Sequence, residues 1–181
     1  MNFFKAILIS LAATVTLSTT AQAADLKTVN FVDVGRYLGT WYQISRNILF
    51  FENNCSACSR QVLGALPDGT ASVWNTCNRG NASGELITIK GTATDENTTT
   101  HAEFLIDFGL PNKGQYWIIG LAADYSWAVV SDPTKKSLYV LSKTPTLDAA
   151  AYQEAVATAA TQVDTSQLAM TAQNGCTYPA N

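Results

Sequence analysis

The sequence predicts an all-β domain followed by one helix, and three observations predict it. Strand-like stretches recur at hairpin spacing between clusters of turn residues. Apolar and polar residues alternate along several of these stretches. One Ala-rich segment near the end abandons that period for a helical one. The spacing alone suits a barrel or a sandwich.

Ahead of the domain, residues 1–23 read as an export signal. Lys5 supplies the positive start, Ala6 to Leu17 the apolar run, and Ala21-Gln22-Ala23 the small-residue cleavage site. The run is shorter than the ~20 residues needed to span a bilayer. No Cys precedes Cys55, so no lipoprotein cysteine follows the cleavage point. The expectation is a single mature domain over residues 24–181, periplasmic or secreted. Cleavage removes one Lys and no acid, leaving 158 of the 181 residues with 10 basic against 14 acidic side chains, net −4. With no basic stripe, nucleic acid and anionic membrane are poor partners. No later segment is long and apolar enough to cross a membrane.

Taken in order, Asp33 is placed to cap a short helical turn through Arg36-Tyr37-Leu38. Strands are predicted near 40–46, 58–66, 70–78, 86–94, 101–108, 115–122, 125–131 and 137–143. Pro67-Asp68-Gly69, Asn78 to Gly84, Asp95-Glu96-Asn97, Gly109 to Gly114 and Asp132-Pro133 supply the turns. In the sixth strand, Tyr116, Ile118 and Gly120 share one face, against Trp117, Ile119 and Leu121. In the eighth, Tyr139, Leu141 and Lys143 face away from Leu138, Val140 and Ser142. Both faces are partly apolar, as expected where one lines a cavity and the other is covered by a helix.

That helix is predicted over 147–161, with Thr146 as N-cap and Asp148 in the first turn, where the dipole favours an acid. Ala151, Tyr152, Ala155, Val156 and Ala159 form its apolar stripe. Residues 168–173 suit a short extra strand.

Four Cys in an exported chain suggest two disulfides. Three pairings are open; Cys55–Cys77 with Cys58–Cys176 is favoured, the second tying the tail to the wall. Cys55-Ser56-Ala57-Cys58 is also a C-x-x-C, but the remaining Cys are far apart and His101 is the sole His, so neither a zinc site nor a redox pair is expected.

Three separated patches carry a family resemblance. Gly39-Thr40-Trp41-Tyr42 resembles the Gly-x-Trp signature that opens the first strand of lipocalins. Ala122-Ala123-Asp124-Tyr125 resembles the family's Thr-Asp-Tyr turn, with Ala123 in place of Thr. Leu138 to Pro145, followed by the helix, resembles the last strand, with Lys143 where the family has Arg. The chain is similar to bacterial lipocalins and apolipoprotein D from about Phe31 to Cys176. The resemblance implies an eight-stranded antiparallel up-and-down barrel with one C-terminal helix outside, enclosing one small ligand. Gly39, Trp41, Asp124, Tyr125 and Lys143 would be structural. Trp41 would plug the narrow end with the Lys143 cation over its ring, without the planar stacking of Arg.

Resemblance and parity together imply the wall. Tyr139 and Leu141 lie on the last strand, Asn75 is a polar wall position, and Leu63 and Arg79 stand near the mouth. Tyr116 and Ile118 fit the sixth strand and Leu105 the fifth. There a slip by one residue would substitute Phe104 and Ile106. The expected partner is a fatty acid, lysophospholipid or similar lipid, with Arg79 able to meet its anionic group.

Little points to catalysis. His101 opens a predicted strand, Asp95-Glu96 lie in a turn, and none of the common nucleophile, phosphate-loop, dinucleotide or zinc-protease motifs occurs. No catalytic residue, metal or cofactor is expected. Two alternatives stay open: an isomerase or de-epoxidase on the same fold, needing for instance a free thiol in the cavity, and a protein-binding module with a filled barrel.

Overall fold

A computed structural model describes residues 25–47 and 54–180 of the chain. The export signal expected over 1–23 lies outside the described residues. The elements in order are α1 (Val34–Tyr37), β1 (Gly39–Asn47), β2 (Ala57–Ala65), β3 (Ala71–Asn78), β4 (Leu86–Asp95), β5 (Glu103–Asp107), β6 (Gly114–Leu121), β7 (Trp127–Ser131), β8 (Leu138–Ser142), α2 (Ala149–Ala160) and β9 (Leu168–Met170). Strands β1 to β8 pair antiparallel with their neighbours, and β8 returns to β1, closing an eight-stranded barrel. Each barrel strand is thereby paired on both sides over at least part of its length.

Asp33 caps α1, accepting the Arg36 N–H. This turn and the lead-in strap cover one end. Val29 N–H donates to Ile118 O, and Val32 N–H to Thr100 O. Gly39, at φ +97°, makes the bend from α1 into β1, a conformation that L residues avoid.

Two apolar clusters follow from the alternation of strand faces. Inside the closed half of the barrel, Trp41, Leu63, Val73, Ile106, Ile118 and Leu141 pack with Tyr37. Outside, Ile44, Ile119, Trp127, Val129, Leu138 and Val140 receive α2 through Ala155 and Ala159. Ala151, Tyr152 and Val156 flank them, so the predicted stripe is the docking face.

Four local expectations are corrected. The α2 N-cap is Asp148, not Thr146, because the Asp148 carboxylate accepts the Ala150 and Ala151 N–H groups. The fifth strand starts at Glu103 because Asn97 draws the preceding residues into a turn in which His101 has φ +53°. The seventh starts at Trp127, since Tyr125 sits in a turn at φ +66°. In β6 the alternation breaks at a bulge between Ile118 and Gly120. Ile119 and Gly120 both turn outward and Leu121 returns to the inner cluster. A Cβ on Gly120 would lie 2.9 Å from Thr158 Cγ2, so the missing side chain lets α2 lie close to the sheet.

The C-terminal segment completes the wall. β1 pairs with β2 only from Gly39 to Tyr42, against Arg60 to Leu63. Beyond that the strands part, and Ser45–Asn47 pair with β9 instead. Thr171 N–H donates to Ile44 O and Cys58 N–H to Ala172 O. The disulfides are Cys55–Cys77 and Cys58–Cys176, the favoured pairing; the second fastens the tail beside this seam. Cys55 and Cys58 therefore do not pair with each other, and no Cys is free.

Candidate functional site: the barrel cavity

The strand directions define the two ends. Gly39, Leu63 and Lys143 lie at the closed end, and the β3–β4, β5–β6 and β7–β8 connections surround the open one. Between them lies a cavity of about 680 Å³ with Trp41 at its floor. This is within the usual range for small-molecule sites.

The floor is held from below. Trp41 is fully buried and donates from Nε1 to Tyr37 O at 2.7 Å. Lys143 Nζ lies 4.1 Å from the indole centroid and donates to Tyr37 O and Leu38 O at 3.0 and 2.7 Å. Burial pushes the Lys143 ammonium down to about 8, while the carbonyls and indole favour its charged form. Nearby, Tyr125 Oη accepts the Asp33 N–H, and Arg36 lies 4.0 Å over the Tyr125 ring while donating to Ala123 O. Asp124 accepts the Ser126 N–H, and its hydrogen bonds to Ser126 hold its carboxyl below the usual range. All five residues of the sequence signatures thus sit at the closed end, away from the cavity mouth.

A hydrogen-bonded chain crosses the lower wall. The Tyr37 and Tyr116 hydroxyls are 2.7 Å apart, and Tyr116 donates to Gln61 Oε1 at 3.1 Å. Burial raises both phenols above their ordinary range. Below this chain a small void of about 30 Å³ is lined by Leu63, Phe104 and Ile106. The main cavity above carries Asn75, Tyr116, Tyr139 and Leu141, with Ile87, Ile89 and Phe108 as apolar wall. Gln43, Ser59 and Gln61 add neutral polar groups, and Lys113 and Lys136 stand among the lining residues. Lys113 is 3.0 Å from Asp107. The Cys55–Cys77 bridge also borders the cavity.

Four predicted wall residues are placed elsewhere than expected or only in part. Leu63 is not near the mouth; β2 runs down from the open end, so Leu63 pairs with Gly39 and lines the lower void. Ile118 is fully buried in the packed floor. Leu105 is absent from the lining because β5 turns Phe104 and Ile106 inward. Arg79 lies in the β3–β4 turn, 3.5 Å from Glu85, and does not line the cavity. Gln61 and Ser59 were missed, although parity from Leu63 points to both. Lys113 and Lys136 lie in or beside turns, where parity carries no information.

The family model described as Lipocalin-like domain matches residues 32–173. Temperature-induced lipocalin-1 of Arabidopsis thaliana is 27% identical, over 84% of this chain and 86% of that protein. The outer membrane lipoprotein Blc of Escherichia coli is 33% identical, over 72% of this chain and 73% of that protein. Bovine apolipoprotein D is 34% identical, over 51% of this chain and 47% of that protein. Among solved structures, insecticyanin from the tobacco hornworm superposes with a TM-score of 0.65 at 22% identity, covering 87% of this chain and 92% of its own. Lobster apocrustacyanin A1 gives 0.63 at 18% identity, over 79% and 81%. At these identities the structural likeness concerns the fold.

Proposed function

The chain belongs to the lipocalin family, and from that premise we propose that it is a periplasmic or secreted carrier of a single lipid with an acyl chain, such as a fatty acid or lysophospholipid. The observation that carries this reading is the cavity of about 680 Å³, open at one end and closed at the other by Trp41. Each methylene buried there contributes about 0.8 kcal/mol. The chain would run down past Tyr139, Leu141, Asn75 and Tyr116, with an anionic head near Lys113 and Lys136. Those two lysines take the part expected of Arg79. Two disulfides favour an oxidising compartment, and one relative is by name an outer membrane lipoprotein.

The test is native mass spectrometry of the purified protein, with organic extraction of anything bound. A lipid near one-to-one supports the carrier. An unliganded mass unchanged by a panel of fatty acids and lysolipids refutes it. Tyr139→Asp places an unpaired carboxylate on the wall and should abolish uptake while the far-UV spectrum stays unchanged. Retained uptake would put the site elsewhere.

A further inference from the structure

The hydrogen bond from the Tyr116 hydroxyl to Gln61 Oε1, at 3.1 Å, spans the lumen. Gln61 lies on β2 and Tyr116 on β6, four places apart in a closed ring of eight strands, so the two stand on opposite walls. Gln61 is also directly beside Trp41 in the β1–β2 register. Trp41 and this crossbar together therefore make the floor of the cavity.

The void of about 30 Å³ lies immediately beneath, and Gln61, Ile106 and Tyr116 border both spaces. The void presents only apolar surface, from residues that include Leu63, Ala71, Ala93 and Phe104. Water there would find no polar partner, whereas room for about two or three water-sized groups suits the end of an acyl chain. The wall above the floor is short. β2 continues from Gln61 only to Ala57, at most about 13 Å of strand. A long acyl chain standing upright thus reaches the crossbar. The Tyr116 half of that bar is fixed, its hydroxyl 2.7 Å from that of Tyr37 and its ring edge-on to Phe104 at 6.5 Å between centroids. The Gln61 half can be removed cleanly. Without its amide the Tyr116 hydroxyl keeps Tyr37 as partner, so no buried hydroxyl is orphaned.

We propose that Gln61 and Tyr116 determine cargo length: their crossbar holds the end of the acyl chain out of the apolar void beneath and so sets the longest chain the barrel seats fully. This rests on the carrier reading.

The experiment is calorimetric titration of the full mature protein with straight-chain saturated fatty acids from octanoic to stearic, wild type against Gln61→Ala. The readout is the ratio of variant to wild-type affinity for each acid, in which solubility cancels. Once chains reach the floor, the ratio should rise by about fourfold per added methylene, to about 15- to 60-fold, as the void fills. Gln61→Ala combined with Ala93→Leu, which occupies the void from β4, should make the ratio independent of length. Gln61→Ala with Ala71→Leu fills it from the neighbouring strand and serves if the first pair fails to fold, as thermal melts will tell. A ratio that does not change with length in Gln61→Ala overturns the proposal, as does a rise that survives the filled void. Wild-type protein that binds none of the acids removes the carrier reading itself, whereas wild-type binding with a flat ratio removes this inference alone.

Discussion

Replacing Lys143 with Met tests the closed end of the barrel most directly. Met keeps the length and apolar stem of the side chain and removes its charge. Three interactions disappear: hydrogen bonds to Tyr37 O and Leu38 O at 3.0 and 2.7 Å, and the cation over Trp41 at 4.1 Å. Hydrogen bonds from a charged donor are each worth about 1.5–3 kcal/mol, and an exposed cation–π contact about 0.5–1. Lys143 is only partly buried, so the low end of each range applies. Relief of the ammonium's desolvation, the force that lowers its pKa, offsets part of the loss. The Tyr37 carbonyl keeps the Trp41 indole as donor, but the Leu38 carbonyl loses the Lys143 ammonium. The net expectation is a loss of about 2–3 kcal/mol, a fall in Tm of roughly 4–12 °C for a domain this size. Urea unfolding at pH 7, followed by tryptophan fluorescence and far-UV circular dichroism, measures it. Lys143→Arg should match or exceed the wild type, because a planar guanidinium can stack on the indole and donate to both carbonyls. A Met variant within about 0.5 kcal/mol of wild type would refute the argument.

Gly39→Ala should cost about 1–2 kcal/mol in the same assay, because φ of +97° is unfavourable for a residue with a Cβ. The Cys58–Cys176 bridge closes a separation of 118 residues and Cys55–Cys77 one of 22. On the chain-entropy account, removing the first by paired Ala substitutions should destabilise by about 1.5 kcal/mol more than removing the second, by urea midpoints. Tyr37 and Tyr116 have folded pKa values raised by burial. The unfolded chain releases these protons near pH 10 while the native state holds them, so stability should be level below about pH 10 and fall as pH rises above it. The double variant Tyr37→Phe, Tyr116→Phe should flatten that fall in urea titrations at pH 9, 10 and 11.

The barrel was legible in the sequence because its information is local and repeated. Alternation in β8 separates Tyr139 and Leu141 from Leu138 and Val140, and the structure puts the two pairs in different cores. The signatures at Gly39-Thr40-Trp41 and Asp124-Tyr125 were legible for a different reason: each meets a backbone demand, a positive φ at Gly39 and Tyr125, that few sequences satisfy. Parity failed where the backbone departs from a period of two. The β6 bulge reverses Gly120 and Leu121, and β5 was read one residue out of phase, which exchanged Leu105 for Phe104 and Ile106. Height along the barrel was harder than facing. Leu63 and Ile118 point inward but lie below the cavity, because height depends on which strand end meets which loop. The seam was least legible. A short apolar segment such as Leu168-Ala169-Met170 announces a strand, and nothing local says it will join β1 instead of β2.

That the last stave comes from the far end of the chain has a consequence for biosynthesis. Strands β1 to β8 are all made by residue 142, yet the upper wall between β1 and β2 is completed only when residues 168–173 arrive. A nascent chain would therefore pass through a stage with eight strands in register and a notch in the side. Exposed at that notch are the Gln43 and Ser59 carbonyls and the thiol of Cys58, which awaits a partner made 118 residues later. Cys55 and Cys77 meet much earlier, so bridge formation has a built-in order. Chains cut short after the helix would keep the floor and the mouth but lose the closing stave. The final residues are thus the step at which an open trough becomes a container.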